Sequence, residues 1–185
     1  MAIMMVAILL VYLAVGRNDK LLISSSSIPA GVRAQSSANL VGYIGRAWGG
    51  DNFEFGDDTA LHYFFITGVD CPEPGQPYFE QSRQFLLKNY RHKILELTID
   101  GYDESKREFG HAIYVDENDL KTDVGLDLIK NGMAWYDGST FEGADAYRAA
   151  FENAKRKKIG LWAQPNPVPP WEFYQLEQAS LLGEN

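Results

Sequence analysis

Gly68-Val69-Asp70-Cys71-Pro72-Glu73 is the stretch from which the rest of the chain is read. The apolar run Tyr63-Phe64-Phe65-Ile66 leads into it, and the turn Gly75-Gln76-Pro77 leads out. Pro72 fixes its own φ and pushes Cys71 into an extended conformation. A strand is therefore expected to end near Asp70, with the Asp70 and Glu73 carboxylates at one mouth. Paired acids on such a loop can hold a hard cation or move protons. Asp, Pro and Gly are equally the residues of an ordinary solvated turn. Spacing alone leaves both readings open.

Upstream of this turn the pattern is that of short strands. Leu40 to Ile44 reads as the first, Phe53 to Phe55 alternates as the second, and Ala60 to Thr67 is the third. Turns at Gly49-Gly50-Asp51-Asn52 and Gly56-Asp57-Asp58-Thr59 separate them. Downstream the period changes to that of a helix, with Phe79, Ser82, Phe85, Leu86 and Tyr90 on one side and Pro77 just before its start. His92 to Asp100 and Phe109 to Val115 alternate as a fourth and a fifth strand. Leu120, Val124, Leu128 and Ile129 mark a second helix that stops at Asn131-Gly132. Ala144, Tyr147, Phe151 and Ala154 mark a third. Its basic end, Lys155-Arg156-Lys157-Lys158, reads as a solvated last turn complementing the helix dipole. Leu161-Trp162 and Trp171-Glu172-Phe173-Tyr174 are expected to lie back on the domain. Five strands with a helix after the third give an α+β, mainly β fold: a five-stranded OB-type Greek-key barrel with about three helices.

Residues 1–15 are uninterrupted apolar sequence, too short for a span of about 20 residues and long enough for a signal-peptide core. Residues 1–17 are read as a signal peptide or membrane anchor, 18–38 as a Ser-rich linker, 39–175 as the folded domain and 176–185 as a tail. The expected location is the cell envelope or outside the cell. A single cysteine, Cys71, excludes an intramolecular disulfide framework. Zincin and P-loop motifs are absent. The net charge of −8 argues against a dedicated duplex-DNA binder, which is usually basic.

Several motifs together resemble the staphylococcal-nuclease-like family. Gly49-Gly50-Asp51-Asn52-Phe53 resembles its DGDT turn, and Gly68 to Glu73 its G-[IV]-D-[TA]-P-E. Phe109-Gly110-His111 resembles its YGR, Asn131 to Ala134 its xGxA step, and Lys158 to Trp162 its closing KxGLW. The resemblance covers about residues 40–175. It implies Ca²⁺-dependent hydrolysis of DNA and RNA phosphodiesters, with nucleic acid as a transient substrate of a monomer. Asp51, Asp70 and Glu73 would then be the acidic cluster, with the Cys71 backbone carbonyl as a further oxygen ligand. Glu73 would hold or deprotonate the attacking water.

The chain departs from the family at both positions where it carries phosphate-clamping arginines. Phe65 stands five residues before Asp70, and His111 follows Gly110. Phe cannot contact phosphate by charge, and His does so only when protonated. Phe65 is read as barrel core and His111 as a residue with an altered catalytic role. Arg107 and Arg46 are the nearby cations, both read as surface residues. Weak or retuned nuclease activity is one expectation. The other is a catalytically inactive protein-interaction module at the cell envelope. Residues 41–165 hold 14 Lys and Arg against 21 Asp and Glu, which disfavours a silent nucleic-acid binder.

Overall fold

The structure, a computed structural model, describes residues 39–103 and 105–175. The N-terminal apolar segment, the Ser-rich linker and the tail lie outside the described residues. Among the described residues no helix is long and apolar enough to cross a membrane.

Alternating apolar residues build the strands β1 (Asn39–Ala47), β2 (Asn52–Gly56), β3 (Leu61–Ile66), β5 (Leu95–Tyr102) and β6 (Glu108–Val115). β1 pairs antiparallel with β2 and with β5, β2 with β3, and β5 with β6. A parallel pairing of β3 with β6, Phe64 opposite Glu108 and Ile66 opposite Gly110, closes the ring. Closure leaves these five strands without a free edge. The barrel agrees with the sequence expectation, strand for strand. Its interior is filled by the inward set, with Phe53, Phe55, Phe64, Leu95, Leu97 and Ala112 wholly buried. Near the seam, His62 sits between Glu108, 2.9 Å from Nδ1, and Asp57, 3.3 Å from Nε2.

Two very short strands, β4 (Val69–Asp70) and β8 (Trp135–Tyr136), pair antiparallel outside the barrel. β7 (Lys121–Asp123) extends the sheet beside β6. Strands of two or three residues are too short to show a period, so the sequence pattern did not predict them.

Three helices flank the barrel. α1 (Phe79–Tyr90) buries Ser82, Leu86 and Tyr90. α2 (Val124–Lys130) is capped by Asp123, whose side chain accepts from the Leu126 N–H at 3.0 Å. α3 (Ala144–Lys157) buries Ala144, Tyr147, Ala150 and Ala154. Its basic end is exposed, as expected. After α2, Gly132 turns at φ 63°, and a Cβ there would meet the Ile159 carbonyl oxygen at 2.1 Å. This contact seats the 3-10 turn Gly160–Ala163, which buries Leu161.

Two expectations are corrected. Leu120 is not part of the second helix: it is 66% exposed and precedes β7, and Asp123 caps the helix three residues later. The C-terminal aromatics do not all fold back. Trp171 and Tyr174 are exposed, and Pro170 is the buried anchor of that segment.

Candidate active site

Asp51 ends the tight turn between β1 and β2. The Trp48 and Gly49 N–H groups both donate to the Asn52 carbonyl and close that turn. Gly50 is required here by close approach. A Cβ on it would meet Ser82 Oγ at 2.1 Å and Cys71 Sγ at 2.7 Å. The turn therefore lies flush on α1 and on the Cys71 loop, and Asp51 is buried with it.

The Asp51 carboxylate joins the two acid turns. Its Oδ2 accepts from the Cys71 backbone N–H at 2.7 Å, and its Oδ1 from the Asn52 amide at 2.9 Å. Burial pushes its pKa up to about 6 against these bonds, and the nearby Glu73 charge adds to the rise. Asp70 is pushed up to about 7, first by burial and then by the charges of Asp51, Glu73 and Asp137. Four carboxylates thus share one electrostatic neighbourhood. Such a site favours either a proton or a cation.

Glu73 is exposed at the tip of the second turn. Its backbone N–H donates to Gln76 Oε1 at 2.9 Å, and the Gln76 N–H donates back to the Glu73 carbonyl at 2.9 Å. Gln76 is itself buried, and its Nε2 donates to the Val168 carbonyl at 2.6 Å. Sequence reasoning missed Gln76, whose place between Gly75 and Pro77 marks it only as a turn residue. It also missed Asp137. The pairing of Asp70 with Trp135 sets Asp137 two residues further along, close enough for its charge to act on Asp70, and the xGxA step ending three residues upstream at Ala134 was the available signal.

The structure brings Asp51, Asp70, Cys71 and Glu73 together. His111 is placed differently. Its Nε2 lies 3.4 Å from Asp100 Oδ2, and its ring packs 4.8 Å from that of Phe141. Asp100 also accepts from Thr67 Oγ1 at 3.1 Å, which ties His111 to the start of the Gly68 turn. Cys71 is buried, and burial pushes its thiol pKa well up, so the side chain is inert. Phe65 corrects the expectation of a core residue. Phe64 and Ile66 point inward, so Phe65 lies half-buried on the outer face, with the Arg107 guanidinium 4.8 Å from its ring centroid.

Among the described residues no group of three or more His, Cys, Asp or Glu side chains is arranged to hold a metal ion. The donor chemistry nevertheless fits a hard cation. Asp51, Asp70 and Glu73 offer carboxylate oxygens, and their mutual repulsion is what a divalent ion would relieve.

A family model described as staphylococcal nuclease homologue matches residues 64–164, which include Asp70, Cys71, Glu73 and His111. An endonuclease of Haemophilus influenzae is 30% identical over 116 residues, 63% of this chain and 62% of that protein. A staphylococcal-like nuclease of Arabidopsis thaliana is 33% identical over 109 residues, 58% of this chain and 32% of that protein. A micrococcal nuclease of Shigella flexneri is 25% identical over 141 residues, covering 74% of this chain and 81% of its own. The chain thus spans less than two thirds of the first two relatives.

Proposed function

The chain belongs to the staphylococcal nuclease homologue family, and from that premise we propose that it hydrolyses phosphodiester bonds in DNA or RNA with the aid of Ca²⁺. The observation that carries this reading is the joining of two acid turns by the Asp51–Cys71 hydrogen bond, which gathers Asp51, Asp70 and Glu73 at one mouth. Asp51, Asp70, Glu73 and the Cys71 carbonyl would hold the cation, which supplies neutralisation of charge on the phosphate. Glu73, exposed and set by Gln76, takes a proton from the attacking water. The water oxygen bonds to phosphorus as one P–O ester bond breaks, and the leaving oxygen takes a proton from solvent. Buried Asp51 also orients the Cys71 loop through its bond to the Cys71 N–H.

Activity is expected to be modest. Phe65 offers no charge, and His111 is engaged by Asp100 and Phe141. The apolar residues 1–15 support a place at the cell envelope, and we read the working form as a monomer. A second reading, a catalytically inactive module that binds a protein partner, draws on the same two positions. One assay separates them. The full-length protein in mild detergent is given fluorescent single-stranded DNA with Ca²⁺, with Mn²⁺ or with chelator. Metal-dependent cleavage lost in Glu73→Gln supports the nuclease. Equal, metal-independent background in both proteins sinks it.

A further inference from the structure

A phosphodiester brings negative charge to a mouth that already holds Asp51, Asp70, Glu73 and Asp137. Residues 41–165 carry seven more acids than bases, so no diffuse positive field offsets the repulsion. The substrate needs a fixed cation beside the acids.

Arg107 is the cation to consider, because its side chain reaches from the start of β6 to the Phe65 ring. Its guanidinium carbon lies 4.8 Å from the Phe65 ring centroid. Phe65 is the cross-strand partner of Asn52 on one side and of Phe109 on the other. The Asn52 amide grips Asp51, and the Ile66 N–H donates to the Asp51 carbonyl at 2.9 Å. The strand that carries the ring under Arg107 is thus paired with the residue that binds the Asp51 carboxylate.

The arginine is also held in advance. Asp103 accepts from its backbone N–H at 2.8 Å and from its Nε at 2.6 Å. The Asp103 N–H donates to the Arg107 carbonyl at 3.0 Å, and the Lys106 N–H to the Asp103 carbonyl at 2.9 Å. The side chain is still 54% exposed, and among the described residues neither Nη makes a hydrogen bond. A guanidinium has five N–H donors, and only Nε–H is engaged among the described residues, with the Nη groups forming a fork suited to phosphate oxygens. A plain surface ion pair would need neither the aromatic seat nor the pinned backbone.

We infer that Arg107 is the phosphate-contacting residue of this site, reaching over Phe65 from the loop before β6. The inference rests on the nuclease reading above. It assigns Phe65 a purpose: the ring is the platform that fixes the guanidinium.

The test uses the full-length protein and four variants: Arg107→Ala, Arg107→Gln, Arg107→Lys, and Arg107→Ala combined with Phe65→Arg. Cleavage of fluorescent single-stranded DNA in Ca²⁺ gives kcat and KM. Fluorescence anisotropy in chelator gives affinity for the same strand at several salt concentrations. Loss of one preorganised donor is expected to lower kcat/KM by about 10²–10³ in Arg107→Ala. The salt slope of binding should fall by about 0.7, one phosphate contact on a single strand. Arg107→Lys should recover little, lacking the fork. Phe65→Arg in the Arg107→Ala background should recover at least about tenfold. The Asp103 bond to the residue 107 N–H survives all four changes, and Arg107→Gln replaces Arg107→Ala if the latter misfolds. A folded, uncharged variant with wild-type kcat/KM and an unchanged salt slope overturns the inference and leaves the nuclease reading standing. Absence of metal-dependent cleavage by the wild type overturns the nuclease reading instead. The salt slope then decides Arg107 alone, and an unchanged slope, or no binding by the wild type, overturns it.

Discussion

Cys71 and Asp51 are joined by one buried hydrogen bond, backbone N–H to carboxylate Oδ2 at 2.7 Å, across 20 residues of chain. It helps gather the acids at the mouth, because it joins the β1–β2 turn to the Asp70–Glu73 turn. Asp51→Ala leaves the Cys71 N–H without a partner, which costs about 1–3 kcal/mol. Asp51→Asn keeps an acceptor oxygen while losing the charge. Thermal unfolding followed by circular dichroism in chelator should show a lower Tm for Ala only, while both variants lose cleavage. An Asn variant as unstable as Ala would show that charge, not the hydrogen bond, holds the turns together.

Glu73 and Gln76 should separate chemistry from positioning. Glu73→Gln changes an exposed side chain, so its stability should stay within about 0.5 kcal/mol of wild type while cleavage falls to background. Gln76→Ala removes the residue that links the Glu73 N–H to the Val168 carbonyl. A loss of about 1–3 kcal/mol in urea unfolding is expected, with a reduced rate. A fully active Gln76→Ala would mean that the turn holds its shape unaided.

Stability in chelator should fall as pH rises. Asp51 and Asp70 have folded pKa values pushed up to about 6 and about 7, above the unfolded value of 3.8. The folded state therefore binds these protons more tightly. Their contribution is fully present below about pH 4 and is lost as pH climbs through 6 and 7. Asp70→Asn removes one of the two titrations, and urea unfolding at pH 8 should find it about 1–3 kcal/mol more stable than wild type, after allowance for partial solvent exposure. At pH 4 the two should agree. Added Ca²⁺ should raise wild-type stability at pH 8, by about 2.7 kcal/mol at a hundred times Kd, and should do less for Asp70→Asn. A flat pH profile for the difference would remove Asp70 from the buried acid set.

Gly50→Ala places a methyl group where Ser82 Oγ and Cys71 Sγ already stand. Overpacking of this kind costs about 1–3 kcal/mol. Differential scanning calorimetry should show the loss, and cleavage should fall with it because Asp51 rides on the same turn. An alanine variant with unchanged Tm would show that α1 can withdraw from the turn.

Much of this was readable in the chain. The five barrel strands run over five or more residues, with inward Phe on β2 and β3 and inward Leu on β5, which is enough to show a period. Asp70, Cys71 and Glu73 were legible because Pro72 and the glycines around them announce a turn. Asp137 and Gln76 were not. Their roles come from pairings across the fold, Val69 with Tyr136 and Gln76 with Val168, and no local pattern encodes these. Phe65 was misread as core because an apolar residue in an apolar run carries no mark of facing. The closed ring decides that 64 and 66 point in and 65 points out. Arg107 looked like one more surface charge until the parallel seam set it over that ring.

The seam has a kinetic consequence. Every other pairing in the barrel joins strands running in opposite directions, and β2–β3 is a hairpin. β3 and β6 run the same way and meet only after some forty residues have been folded between them. Closing so long a loop carries an entropic cost before any contact rewards it, which makes such pairings late steps. The ring under Arg107 and the strand bearing His111 meet only at that step. The β1–β5 pairing encloses a similar stretch, so hydrolytic competence should appear late in refolding, after the hairpin strands have already acquired their secondary structure.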